Sequence, residues 1–79
     1  MKKIEIETRV LSVLKTILGV DLNSKSLIEE IDEWDSLKHI DVIFSLEDEF
    51  DIRFEEDIVN DIVGIVSLVD SIHILLNKK

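Results

Sequence analysis

Glu33-Trp34-Asp35-Ser36-Leu37 closes a long polar connection and opens an amphipathic helix. Asp35 is the residue type that caps a helix, because its carboxylate can accept from amides the first turn leaves unpaired. The helix is expected over about Ser36–Phe50. One stripe on it, Val42, Ile43, Leu46 and Phe50, suits a core. A second, Leu37, Ile40 and Phe44, is displaced around the cylinder, so apolar surface exceeds what one buried face needs and part of it is expected to meet solvent or a partner.

Upstream, Val20 to Asp35 is a sixteen-residue connection, long enough to imply function or an internal turn. Ser26-Leu27-Ile28-Glu29 has the capping-box pattern and predicts one brief helical turn. Leu22, Leu27, Ile28, Ile31 and Trp34 are expected to pin the loop onto a core. Before it, Ile6, Val10, Val13, Leu14 and Ile17 fall at helical spacing and predict a first helix over about Lys3–Leu18, ended by Gly19 at the C-cap. Downstream, Glu55-Glu56-Asp57 loads a helix start with negative charge, predicting a short third helix over about Glu55–Asp61. Gly64 separates it from a last helix over about Ile65–Asn77, with Ile65, Leu68, Val69, Ile72 and Leu76 inward. Lys78 and Lys79 suit its C-terminus. The expectation is an all-α fold: one domain over 1–79, a small four-helix bundle of three longer helices and a short one, with a long loop between helices 1 and 2.

Seventy-nine residues suffice for one domain with a small core. The absence of cysteine excludes disulfide stapling. No long uninterrupted apolar run exists, and Glu5 and Glu7 break any signal-peptide core, so a cytoplasmic monomer off the membrane is expected. The net charge of −9 disfavours nucleic acid and anionic membrane. Fourteen of the 18 acids lie between Glu29 and Asp61, against two bases, Lys38 and Arg53.

Local sequence allows two readings of Ser36. One is a serine chosen for helix initiation. The other is an attachment point for a phosphate-linked group, since a helix N-terminus offers unpaired amides and the positive end of the dipole. The acids Asp41, Glu47, Asp48, Glu49, Asp51, Glu55, Glu56, Asp57 and Asp61 read either as a solvated face or, flanking the second apolar stripe, as a docking surface for basic, partly apolar patches. Asp32-Glu33-Trp34-Asp35 lacks the glycine and ligand spacing of an EF-hand. His39 and His73 fall on separate helices and read as surface or boundary residues.

Asp35-Ser36-Leu37, opening a helix that ends Leu46-Glu47-Asp48-Glu49-Phe50-Asp51-Ile52, resembles the acyl carrier protein family. Leu18-Gly19-Val20, the long loop, the short third helix and Ser67-Leu68-Val69-Asp70-Ser71-Ile72 fall in the same register. The resemblance implies a carrier that is not itself an enzyme. Its Ser36 would bear 4′-phosphopantetheine, attached covalently from coenzyme A by a phosphopantetheinyl transferase, and the arm's thiol would hold acyl groups as thioesters. It implies that Asp35, Leu37, Ile40, Asp41, Phe44, Glu47 and Asp48 meet partner enzymes, acyl-transferring or condensing ones with basic docking patches, and that Ile62 lines the acyl groove. Two other readings stand beside it: a D-alanyl or other aminoacyl carrier, and an unmodified acidic helical adaptor. The chain departs from the family at Glu33-Trp34, where small residues are common, at Lys38, where carriers of primary fatty acid synthesis have an acid, and at His39, where a small polar residue is usual. These departures lie on the docking surface and lean toward a stand-alone carrier of a specialised pathway.

Overall fold

The computed structural model describes residues 1–78, so Lys79 and the part assigned to it at the last helix end lie outside the described residues. The chain forms α1 (Lys3–Leu18), α2 (Ser36–Phe50), α3 (Glu56–Asp61) and α4 (Ile65–Asn77), with a short 3-10 turn at Ile28–Glu30 in the connection after α1. No strand occurs among the described residues. The architecture is the all-α, four-helix one expected, and α1, α2 and α4 run over the expected spans. Helix α3 starts one residue later than expected, because Glu55 is extended (φ −77°, ψ 151°) and serves as its N-cap.

The core is where three apolar stripes meet. Ile6, Val10 and Leu14 of α1, Val42 and Leu46 of α2, and Leu68 and Ile72 of α4 are fully buried. Each such side chain contributes roughly 1.5–3 kcal/mol by leaving water. Val13 and Ile17, at the edge of the α1 stripe, and Leu76 of α4 are half-buried and pack against this core. Helix α3 differs: none of its residues is buried, and Ile58 and Val59 are half-buried. It is a short cover laid over a three-helix frame.

Helix ends follow local chemistry. Gly19 turns left-handed (φ 73°) and its amide donates to the Lys15 carbonyl at 2.9 Å, ending α1. At the end of α2 Asp51 takes the same region (φ 52°), which aspartate tolerates better than most residues. The Ile52 amide then donates to the Glu47 carbonyl at 3.1 Å.

The long loop is sewn to the α3–α4 junction. The Ile28 amide donates to the Val63 carbonyl at 2.9 Å, and the Ile65 amide to the Ser26 carbonyl at 3.0 Å. A Cβ on Gly64 would stand 2.7 Å from the Ser26 carbonyl oxygen, so the backbones meet closely only because this residue is glycine. Ser67 completes the junction, accepting from the Val63 and Gly64 amides at 3.1 and 3.2 Å.

That seam explains two differences in the loop. The helical turn forms, but Ser26 does not cap it: Leu27, extended at φ −111° and ψ 144°, precedes the turn without a side-chain cap. The Ser26 hydroxyl instead accepts from the Asn23 amide at 3.0 Å. Ile31 and Trp34 are buried as expected and Leu22 and Ile28 half-buried, but Leu27 remains 39% exposed, because its backbone does the fastening.

Candidate functional site

Asp35 caps α2: its carboxylate accepts from the Lys38 amide at 2.8 Å, while its carbonyl accepts from the His39 amide at 2.9 Å. This leaves the amides of Ser36 and Leu37 at the open end of the helix, where the peptide dipole favours an anion. Ser36 is exposed, and its hydroxyl makes no hydrogen bond within the described residues. The cap is therefore supplied by Asp35 alone, and the serine oxygen is free for other chemistry.

Ser36 borders an open cleft of about 350 Å³. One wall is Trp34 and His39 from the α2 side; the other is Val59, Asn60 and Ile62 from α3 and its end. Trp34 is only 6% exposed, and its indole nitrogen donates to Nδ1 of His39 at 3.0 Å. The cleft continues in two directions. Through His39 and Val59 it meets a groove of about 300 Å³ lined by Ile40, Ile43, Phe44 and Phe54. Through Ile28 and Ile62 it meets another of about 390 Å³ bounded by Leu27 and Val63. Ile62, expected in an acyl groove, thus lies in the wall of the Ser36 cleft.

The second stripe of α2 is open to solvent. Leu37 is 76% exposed, Phe44 64% and Ile40 52%, and Asp41 and Asp48 beside them are exposed too. Glu47 has a further task, since its Oε2 accepts from the Phe54 amide at 2.8 Å and holds the turn between α2 and α3.

Sequence reasoning missed the Trp34–His39 bond and the roles of Val59 and Asn60 in the cleft. Trp34 lies before the cap, so its spacing to His39 is not a helical one and carried no periodic signal. Val59 and Ile62 are three apart on an apolar segment, a signal that was present and read only for Ile62.

No protein-family model matches the chain, and no curated protein matches it in sequence. Solved structures do match. A Mycobacterium tuberculosis protein assigned as an acyl carrier protein superposes with a TM-score of 0.80 at 25% identity, over 87% of this chain and 96% of that one. The Thermotoga maritima acyl carrier protein superposes with a TM-score of 0.82 at 22% identity, over 99% of this chain and 94% of that one. The chain has the fold of acyl carrier proteins. No described helix is long and apolar enough to cross a membrane.

Proposed function

We propose that the chain is an acyl carrier whose Ser36 bears 4′-phosphopantetheine. The observation that carries this reading is an exposed serine hydroxyl without a partner, at the start of a helix already capped by Asp35, in a chain with the fold of acyl carrier proteins. The residues present fit the group. A phosphodiester on Ser36 would lie at the free amides of the helix end. The adjoining cleft has polar groups from His39 and Asn60 over apolar walls from Val59 and Ile62, which suits a chain of amides and methylenes. When bound, the arm supplies the thiol that this cysteine-free chain lacks.

An acyl cargo is favoured over an aminoacyl one by the lining of the groove beyond His39, where Ile40, Ile43, Phe44, Phe54 and Val59 offer aliphatic and aromatic surface. Partners are the transferase that installs the arm and acyl-transferring or condensing enzymes. The exposed stripe Leu37, Ile40 and Phe44, flanked by Asp41 and Asp48, fits partner surfaces that are apolar at the centre and basic at the rim.

Incubation with coenzyme A and a phosphopantetheinyl transferase, followed by intact mass measurement, tests the reading. The expected result is one added arm on the wild-type chain and none on Ser36→Ala. An unchanged mass across several transferases contradicts it.

A further inference from the structure

The single tryptophan of the chain and one of its two histidines are joined beside Ser36. An indole N–H can only donate, so the His39 nitrogen facing it at 3.0 Å must accept. A neutral imidazole that accepts at Nδ1 carries its hydrogen on Nε2. The indole is fixed by burial, and the two rings sit with centroids 6.0 Å apart and planes tilted by 37°, so the histidine ring is held as well as its tautomer. The Nε2–H has no acceptor within the described residues. No buried side-chain polar atom among them lacks a partner, so this donor is reached by solvent. His39 is three residues beyond Ser36, on the next turn of the same helix face, and the two line one cleft.

The surroundings make such a donor useful. Between Glu29 and Asp61 the sequence has fourteen acids against two bases, a negative field that works against the pull of the helix end on an anion at Ser36. A neutral N–H offsets that field without adding a flexible charge.

We propose that the Trp34–His39 pair is a preset hydrogen-bond donor for the phosphodiester on Ser36, laying the first part of the arm into the cleft over Val59 and Ile62. The proposal rests on the reading of Ser36 given above. His39 is the contacting residue and Trp34 the positioning one.

Nuclear magnetic resonance on the labelled chain tests it before and after loading, with loading verified by intact mass. In the chain without the arm, proton–nitrogen spectra should show His39 protonated at Nε2 with Nδ1 as acceptor. On loading, the Nε2 resonance should move, and cross-peaks should join the arm to the Val59 and Ile62 methyls. His39→Asn keeps an acceptor near the place of Nδ1 and loses the distal donor, so the loaded variant should lose those cross-peaks and shift its phosphorus resonance. His39→Gln, which restores a distal N–H, should recover both. An Nε2 resonance unmoved by loading overturns the proposal without need of any variant. So do cross-peaks undiminished in His39→Asn, or equal loss in both variants. A chain whose mass does not rise overturns the reading of Ser36 itself, and the proposal falls with it.

Discussion

At Gly64 backbone meets backbone. Two main-chain hydrogen bonds cross between the loop and the α3–α4 junction, Ser67 takes two more amides, and no room remains for a Cβ. At Ser36 the opposite holds. The hydroxyl is unpartnered, open clefts lie on both sides of α3, and α3 contributes no buried residue. The seam spends its polar groups on itself; the cleft leaves them for something else. The difference separates what holds this chain together from what it presents. Local opening is cheapest where few apolar groups are buried, so the α3 side is the one that opens most readily without dismantling the frame.

Substitutions sharpen or break that contrast. The largest loss is expected in the frame: Leu46→Ala, at a fully buried position of α2, should lower unfolding stability by about 2–5 kcal/mol in urea titration. A loss of only a few tenths would mean the frame is looser than its burial indicates. Gly64→Ala comes next, at roughly 1–3 kcal/mol, because the added methyl meets a carbonyl oxygen and the two segments of the seam must part. A neutral result there breaks the comparison. Glu47→Ala should cost about 1 kcal/mol through the Phe54 amide it abandons, while Asp48→Ala one residue on should not register. Equal effects would show that Glu47 acts only as surface charge. Least of all for stability, Phe44→Ala should stay within about 0.5 kcal/mol of wild type, yet raise the KM of the transferase for this chain. A drop in stability like that of Leu46→Ala would show that Phe44 packs inward.

Much of this was legible beforehand, and for identifiable reasons. Helical periodicity is a local signal, so the spans of α1, α2 and α4 and the division of α2 into a buried stripe (Val42, Leu46) and an exposed one (Leu37, Phe44) could be read directly. Asp35 and Gly19 announced their ends by residue type. What stayed hidden depends on contacts distant in sequence. Ser26 looked like a cap, but its carbonyl was claimed by Ile65, far along the chain. Gly64 read as a separator, and only the approach of Ser26 reveals why it must be glycine. At the site, the helix start at Ser36 and its Asp35 cap were legible from residue type and position in the pattern. The acceptor for Trp34 could not be, because a buried indole N–H finds its partner in three dimensions.

The central claim is that the unpartnered oxygen at the head of α2, and no other hydroxyl, is the point of attachment. The measurement that meets it most directly is fragment mass mapping of the chain after incubation with coenzyme A and transferase. The account predicts the arm on Ser36 itself, with the other six serines, Ser12, Ser24, Ser26, Ser45, Ser67 and Ser71, unmodified. An arm on any of those serines, or on no fragment at all, would contradict it.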